Sequence, residues 1–398
     1  MKIRVGVFFG GKSVEHEVSV ISALQACRSL DKEKYDIIPI YITKNTEFYI
    51  GENIGKIEAY RNIPALLKES TRVIPVGNNG TAELLYYPMK KFGNNVAAVI
   101  DVALPIVHGT NVEDGALQGY LQTLGVPYAG CDVLSSALGM DKYAMKCVFA
   151  DNGIPVLPAT VVNIKQFTRE HDSVLELIES RTQYPVIVKP VNLGSSVGIR
   201  KAKDRAELED ALDYAFTFAI KVLVENAVTE LKEINCAVLG DYEDAEASEC
   251  EEPIANDEIL SYQDKYVGGT KSSGGKSGMA SLKRRIPADI TSEQRDEVRT
   301  LAVKAFQSLG CSGVARIDFM LDKATGKIYL NEINTIPGSL AFYLWEPVGV
   351  KYTAMLDKLI ELALKRSREN KSITFSFDTN ILENASFGGS KGSKGAKC

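Results

Sequence analysis

The chain has few residues of the types that bind soft metals or carry out thiol chemistry. Among its 398 residues are only 3 histidines and 7 cysteines, and the cysteines are scattered singly without a Cys-x-x-Cys pair. The histidine count excludes a histidine-rich metal site, and the cysteine spacing disfavours a zinc or dithiol site. An odd set of unpaired cysteines is typical of a reducing compartment. The sequence therefore predicts a cytoplasmic protein.

Membrane and nucleic-acid signals are also missing. No apolar run approaches the ~18 residues of a membrane-spanning helix, and the start, Met1-Lys2-Ile3-Arg4-Val5, leads into a strand pattern without a signal-peptide core. The formal net charge of -5 provides no basic field for nucleic acid. We therefore expect neither a membrane nor a nucleic acid as partner. The content of 45% hydrophobic and 24% charged residues is ordinary for a soluble globular protein.

The apolar pattern alternates between the periods of strands and helices, which indicates an α/β architecture. Strands are predicted at 3–9, 35–42, 96–107, 156–162, 184–190, 219–225 and 233–239. The strand at 96–107 is apolar enough to be buried on both faces. Helices are predicted at 18–30, 135–152, 172–180, 205–217, 292–309 and 352–368.

These elements divide into an N-terminal α/β domain (1–131), a central domain (132–225), a C-terminal domain (226–372) and a tail (373–398). The tail is of low complexity, so we expect a flexible appendage. A stretch rich in glycine, serine and lysine lies within residues 261–283. Because a long loop inside a compact domain is usually functional or disordered, we interpret this stretch as a lid over a reactive intermediate.

Two acidic segments near the end of the chain predict a metal site. Asp318 lies in one strand pattern, Glu332 and Asn334 lie in another, and a turn separates them. A hairpin would direct all three side chains from one face toward a common point. Oxygen ligands without cysteine or histidine favour Mg²⁺ or Mn²⁺ over zinc. The alternative is a solvated hairpin with acidic residues on its surface.

Two further features suggest a nucleotide. Lys189 ends a strand and leads into a loop of small residues, 190–198, whose backbone N–H groups could approach phosphate oxygens. Glu225 ends another strand, a position from which side chains commonly bind an adenine or a ribose. A plain β-turn and an exposed glutamate remain the simpler alternatives.

The first βα turn, Gly10-Gly11-Lys12-Ser13-Val14-Glu15, has two interpretations. Residues 6–13 match the Gly-x4-Gly-Lys-Ser pattern of P-loop NTPases, but residues 7–9 are needed as buried strand, whereas a phosphate loop needs them in an open turn. Glu15 begins the next helix. Its carboxylate either interacts favourably with the helix dipole or binds an ammonium group.

Taken in order, the motifs resemble those of the D-alanine–D-alanine ligase family of the ATP-grasp superfamily, over about residues 1–370. The segments that carry the resemblance are residues 10–19, His108-Gly109-Thr110-Asn111-Val112-Glu113-Asp114-Gly115, Met140-Asp141-Lys142, 189–198, Asp264-Lys265-Tyr266, Arg316-Ile317-Asp318 and 331–338. The resemblance implies an ATP-grasp fold in which the central and C-terminal α+β domains sandwich ATP.

It also implies a two-step ligation for peptidoglycan synthesis. ATP phosphorylates the carboxylate of one D-alanine, and the amine of a second attacks the acyl phosphate. By analogy, each site residue receives a role. Glu15 holds the first ammonium, in a triad with Ser195 and Tyr266; Lys142, Lys189, Glu225, Glu233 and Lys265 bind ATP; Arg316 and the Gly338 N–H stabilise the oxyanion; His108 and Ser339 contact substrate; and Asp318, Glu332 and Asn334 hold two Mg²⁺ or Mn²⁺ ions. The family also implies a homodimer.

The segment after Gly338 departs from the family pattern, because Ser339-Leu340 follows the glycine directly. A different acceptor, such as D-serine, or a weakly active nucleotide-binding homologue therefore remains an alternative. Tyr266 favours a dipeptide-forming enzyme over lactate-type relatives. We expect Ser339 to hold the second carboxylate, with Lys265 adding charge, and Phe342, Tyr343 and Trp345 to pack as core.

Overall fold

The computed structural model describes residues 1–194, 197–254 and 284–375. These residues form three β-sheets flanked by helices. The predicted mixed α/β class is therefore confirmed. No helix within these ranges is long and apolar enough to cross a membrane.

The first sheet comes from the N-terminal part of the chain. Its strands are β1 (Ile3–Gly10), β2 (Tyr35–Ile42), β3 (Phe48–Ile50), β4 (Thr71–Asn78), β5 (Thr81–Tyr86), β6 (Val96–Ile100) and β7 (Val102–Pro105), in the order β6-β5-β4-β3-β2-β1-β7. Strand β1 is parallel to both β2 and β7. The helices of this region are α1 (His16–Ser29), α2 (Ile63–Glu69) and α3 (Ala116–Leu124).

The prediction of one strand over residues 96–107 is wrong. The structure has two strands there, β6 and β7, at opposite ends of the sheet order, and only β7 is buried along its whole length. The break is at Asp101, whose carboxylate accepts hydrogen bonds from the backbone N–H of Arg4 at 2.9 Å and from its Nε at 3.0 Å. This contact joins residues far apart in sequence, so the local pattern could not reveal it.

The second sheet follows two helices, α4 (Val133–Met140) and α5 (Lys142–Asp151). Its strands are β8 (Ala159–Asn163), β9 (Val186–Pro190), β10 (Arg200–Ala202) and β11 (Lys221–Asn226), in the antiparallel order β10-β9-β11-β8. Helices α6 (Ile164–Arg169), α7 (His171–Arg181) and α8 (Arg205–Phe216) accompany it, and their apolar faces share one core with the sheet.

Two predictions for this region need correction. The helix expected at 135–152 is divided at Asp141, which has extended backbone and caps α5 by accepting hydrogen bonds from Tyr143 and Ala144 N–H. The strand expected at 156–162 begins only at Ala159. Val156 instead forms an isolated bridge with Leu330 of the third sheet.

The third sheet contains the acidic segments. Its strands are β12 (Leu231–Gly240), β13 (Ala245–Pro253), β14 (Arg284–Arg285), β15 (Gly313–Asp322) and β16 (Ile328–Asn334), in the antiparallel order β14-β13-β12-β15-β16. Helix α9 (Ser292–Ser308) packs on it, a 3₁₀ segment (Gly338–Leu344) follows β16, and helix α10 (Tyr352–Lys371) comes last.

Helix α10 does not pack only with its sequence neighbours. Its buried residues, including Leu356 and Leu359, belong to the same hydrophobic core as Val5 and Phe8 of β1. Trp345 also lies in this core, as predicted, and is 1% exposed. The proposed domain boundaries at 131, 225 and 372 stay predictions.

Candidate active site

The acidic hairpin forms as the sequence predicted. Strands β15 and β16 are antiparallel, with Asp318 directly opposite Glu332 and Arg316 opposite Asn334. Directly opposed residues share one face of a sheet, and so do residues two apart in a strand. All four side chains therefore lie on one face, where the oxygen atoms of three of them can converge on a cation.

Arg316 and Asp318 form a bidentate ion pair on this face. The Nε and Nη2 atoms of Arg316 donate to the two carboxylate oxygens of Asp318, both at 2.6 Å. Asn334 Nδ2 donates to the same carboxylate at 3.1 Å. Burial opposes the charge of Arg316, but Asp318 holds the pKa of the guanidinium well above its usual value. Arg316 is therefore a fixed cation at the centre of the hairpin.

Lys142 links the hairpin to the small-residue loop. At the start of α5, its Nζ lies 3.1 Å from Glu332 Oε2 and donates to the carbonyl of Leu193 at 2.8 Å. The capping of α5 by Asp141 fixes where the helix, and therefore Lys142, begins. Lys142, predicted to bind the nucleotide, is thus in direct contact with Glu332, predicted to bind the metal.

A second charged cluster is buried between the helix and the second sheet. Glu225 lies 2.5 Å from Lys189 Nζ and 2.9 Å from Lys146 Nζ, and all three side chains are at most 5% exposed. Burial alone would raise the pKa of Glu225, but the two lysines lower it. Burial lowers the pKa of Lys146. One carboxylate is therefore shared by two ammonium groups, which leaves the cluster with a net positive charge.

Lys146 was not identified from the sequence. It lies four residues after Lys142 on α5, so the two lysines occupy the same helix face. That spacing was the available signal. A lysine on a helix is usually solvated, however, and only the distant Glu225 explains its burial.

A cleft of about 630 Å³ opens beside Glu225, between the second and third sheets. Glu233 of β12 also lines it, so the two glutamates expected at the nucleotide share one cavity. The other lining residues include Ile187, Lys201, Met320 and Lys323. Charged and apolar side chains therefore line this cleft together, so it could hold a ligand with both polar and apolar parts.

Glu15 lies where three loops meet. It precedes α1 and is 9% exposed. A Cβ atom added to Gly109 would lie 2.9 Å from Glu15 Oε2, and one added to Gly194 would lie 3.3 Å from it. Gly109 also has φ of 82°, which disfavours other residues. The two glycines therefore permit the carboxylate to sit between the loops.

One small cavity connects Glu15 with the acidic hairpin. Glu15, Lys142, Glu332 and Asn334 all line it, together with Gly109, Glu113, Gly194 and Thr335. Residues from all three sheet regions of the chain thus face a common space.

Glu113 is a further site residue that received no role from the sequence. It is 8% exposed and accepts hydrogen bonds from the N–H groups of Gly109 and Ile336, each at 2.9 Å. Burial raises its pKa to about 7, since the two N–H bonds offset only part of the cost and the Glu15 carboxylate adds to it. Glu113 ties the loop after β7 to the segment after β16. The His-Gly-x-x-x-Glu-Asp-Gly motif was the signal for it.

His108 and Ser339 are both directed into the protein. His108 Nδ1 lies 2.8 Å from the Ile336 carbonyl, so it carries the proton, and Nε2 lies 3.0 Å from Ser22 Oγ. Burial lowers the pKa of His108. The N–H of Ser339 donates to Ser22 Oγ at 2.9 Å, and its hydroxyl donates to Gln25 Oε1 at 2.7 Å. Direct contact of either side chain with substrate stays a prediction.

The 3₁₀ segment that carries Ser339 has an unusual backbone. Ser339, Leu340 and Ala341 all have φ between 50° and 53°, in the left-handed region. Each such residue costs about 1–2 kcal/mol relative to right-handed backbone. Phe342 and Tyr343, predicted as core, are only partly buried.

Several predicted residues lie outside the described part of the chain. They are Ser195, Lys265, Tyr266, the lid at 261–283 and residues 376–398 of the tail. By contrast, residues 7–9 are fully buried in β1. This confirms the prediction that they form a buried strand and not a phosphate loop. An open phosphate loop is incompatible with this strand.

Comparisons with known proteins place the chain in a family. Residues 4–131 and 148–361 match the family models described as D-ala D-ala ligase N-terminus and C-terminus. A D-alanine–D-alanine ligase from Acetivibrio thermocellus is 40% identical over 385 residues, covering 93% of this chain and 98% of the relative. One from Thermosipho melanesiensis is 37% identical and covers 96% of this chain and 98% of the relative.

Solved structures agree. The D-alanine–D-alanine ligase from Coxiella burnetii superposes with a TM-score of 0.77 at 29% identity, covering 93% of this chain and 96% of that one. The VanG D-Ala:D-Ser ligase from Enterococcus faecalis superposes with a TM-score of 0.75 at 31% identity, covering 91% and 100%. The chain therefore belongs to the D-alanine–D-alanine ligase family and has its ATP-grasp fold.

Proposed function

We propose that this protein is an ATP-dependent ligase that joins two D-alanines into D-alanyl-D-alanine for peptidoglycan synthesis. The observation that carries the proposal is the shared cavity, in which Glu15 faces Lys142, Glu332 and Asn334. A carboxylate for a substrate ammonium and charged groups for a phosphoryl transfer thus line the same space. This arrangement suits activation of a carboxylate next to a fixed amine.

ATP binds in the cleft beside Glu225, with Glu233 at the ribose. Lys142 and Lys189 are directed at the phosphates, supported by the positive charge of the Lys146–Lys189–Glu225 cluster. Fixed cations at the place where phosphate charge gathers need no reorganisation during the reaction. Lys265 adds a contact to the γ-phosphate.

The first D-alanine binds with its ammonium at Glu15, which Ser195 and Tyr266 help to position. Its carboxylate attacks the γ-phosphate of ATP, and ADP leaves. The amine of the second D-alanine then attacks the acyl phosphate, the tetrahedral oxyanion forms beside Arg316 and the Gly338 N–H, and inorganic phosphate departs. Arg316 is already immobilised by Asp318, so its charge is in place where the oxyanion develops.

The donor set of the hairpin fits a hard divalent cation. Asp318, Glu332 and Asn334 offer carboxylate and amide oxygens on one face. Two Mg²⁺ or Mn²⁺ ions held there would neutralise phosphoryl charge. When they bind, Lys142 can exchange its contact with Glu332 for one with a phosphate. A homodimer, which the family implies, and a cytoplasmic location, which the unpaired cysteines predict, complete the proposal.

Product analysis tests the function. Incubation with ATP, Mg²⁺ and D-alanine should release phosphate and form D-alanyl-D-alanine in equal amounts, with mass spectrometry identifying the product. D-serine and D-lactate offered together with D-alanine would reveal a different acceptor. Phosphate release without dipeptide would contradict the proposal and support a weakly active nucleotide-binding homologue.

The Glu332→Gln variant tests the metal assignment. Removing this charge without changing the shape should lower kcat by about 10³-fold or more while the melting temperature is retained. Glu346→Gln, at an exposed position of the same region, is the control. Near-normal turnover of Glu332→Gln at saturating Mg²⁺ would refute the assignment.

A further inference from the structure

A row of polar side chains crosses the third sheet from the predicted metal site to its opposite side. Glu332 lies opposite Asp318, Asp318 opposite Asn235, and Asn235 opposite Glu251. Because directly opposed residues share a face, all four lie on the face of the site. Neighbouring strands are separated by about 4.8 Å, so Glu251 is roughly 14 Å across the sheet from Glu332.

Glu251 collects three donors at the end of this row. Asn235 Nδ2 and Tyr343 OH donate to its Oε1 at 3.0 and 3.2 Å, and Arg284 Nη1 donates to its Oε2 at 3.2 Å. The Arg284 guanidinium also lies over the Tyr343 ring, 3.9 Å from its centroid. The Glu251 side chain is only 4% exposed. Arg284 is therefore held in one orientation by an ion pair and an aromatic ring.

The other edge of the Arg284 guanidinium has no polar contact within the described part of the chain. Its Nε and Nη2 atoms are buried and have no hydrogen-bond partner there. The same two atoms of Arg316 bind the Asp318 carboxylate in two parallel hydrogen bonds. This pair of N–H groups matches the two oxygens of a carboxylate. Since unbonded buried donors are costly, the free edge of Arg284 indicates a ligand with a carboxylate.

The position of Arg284 agrees with the acceptor end of the reaction. Tyr343, which fixes it, belongs to the 3₁₀ segment that begins at Gly338, the predicted oxyanion donor, and packs on β12, β13 and β15. In the same segment, Ser339 uses both of its polar groups on helix α1. The residue expected to hold the second carboxylate is thus engaged elsewhere.

We propose that Arg284 binds the carboxylate of the second amino acid and thereby selects the acceptor. Glu251 and Tyr343 are positioning residues that direct its free edge. This inference rests on the proposed ligase function and adds a residue that sets acceptor specificity. It also accounts for a shortened segment after Gly338, because the carboxylate contact comes from β14 instead.

Acceptor kinetics test the inference. Two variants are compared with wild type: Arg284→Gln removes the guanidinium, and Arg284→Lys keeps the charge beside Glu251 but loses the two-pronged edge. In both, the acceptor KM for D-alanine should rise by about 30-fold or more, while the donor KM and the ATP KM change less than about twofold. Arg295→Gln is the matched control. Arg295 pairs at 3.5 Å with Glu249, which lies in β13 like Glu251.

D-alaninamide gives a readout that a purely structural role would not change. It lacks the carboxylate, so it can act only as acceptor, and wild type should use it far less well than D-alanine. In the Arg284 variants this preference should fall by about the same factor as the rise in acceptor KM. A folded Arg284→Lys protein with unchanged acceptor KM and unchanged preference would overturn the inference. Absence of any ligation by wild type would instead refute the proposed function.

Discussion

Glu225 beside the nucleotide cleft and Glu113 in the loops around Glu15 are both buried, and the protein stabilises the two glutamates by different means. Glu225 is 2% exposed and contacts the ammonium groups of Lys146 and Lys189. Glu113 is 8% exposed and accepts hydrogen bonds from backbone N–H groups, with the Glu15 carboxylate nearby. The first region carries excess positive charge and the second excess negative charge.

This difference matches the ligand proposed for each region. In the proposed function, the phosphates of ATP bind near the lysine cluster, and the ammonium of the first D-alanine binds at Glu15, beside Glu113. It also shows that burial alone does not set a pKa. The pKa of Glu225 is lowered and that of Glu113 is raised to about 7, although burial acts in the same direction on both.

The largest effect is expected from removing the charge of Glu225. The Glu225→Gln variant leaves two buried lysines without a carboxylate, so the free energy of unfolding should fall by about 3–5 kcal/mol. Denaturant unfolding measures it. Glu52→Gln is the control, because the Glu52 side chain is 89% exposed in its ion pair with Lys56, so its removal should barely change the free energy of unfolding. An equally small loss in both variants would show that the lysine cluster is not a compensated unit.

A substitution at Glu15 tests the region with excess negative charge. The Glu15→Gln variant should lower kcat/KM for the first D-alanine by the equivalent of about 2–4 kcal/mol, because the bound ammonium loses its partner. Steady-state kinetics with ATP saturating measure it. The control is Glu17→Gln, two residues further along the chain, where the side chain is 62% exposed and pairs with Lys44. If only ATP binding changed in Glu15→Gln, the assignment of Glu15 to the first substrate would be wrong.

The smallest effect concerns the pH dependence from Glu113. Its folded pKa lies above its usual value of 4.5, so the folded state binds the proton more tightly than the unfolded state does. The stabilising contribution is therefore present below about pH 4.5 and is lost as the pH rises through about 7. Between about pH 5 and 7, wild type should lose about 2 kcal/mol of stability relative to Glu113→Gln.

Unfolding curves of both proteins across this pH range provide the measurement. The buried Glu225 has the opposite sign, since its lowered pKa contributes stability that is lost at acid pH. A constant difference between wild type and Glu113→Gln at every pH would show that the Glu113 carboxylate does not titrate in this range.

The sequence predicted those parts of the site that depend on local patterns. The alternation of residues in β15 and β16 was sufficient to place Asp318, Glu332 and Asn334 on one face. Burial of a charge depends on partners far along the chain. Lys146 was therefore missed, because its burial follows from Glu225, and the strand break at Asp101 was missed because it follows from Arg4.

Helix α10 has a consequence for the order in which the protein can fold during synthesis. Its residues Leu356 and Leu359 complete the core that begins with Val5 in β1. The ribosome must therefore make more than 350 residues before the first strand acquires its full packing. Until then the nascent N-terminal sheet exposes apolar surface, the condition under which chains recruit chaperones or aggregate. The last helix carries none of the predicted catalytic residues, yet it determines when the N-terminal sheet of the newly made enzyme is fully packed.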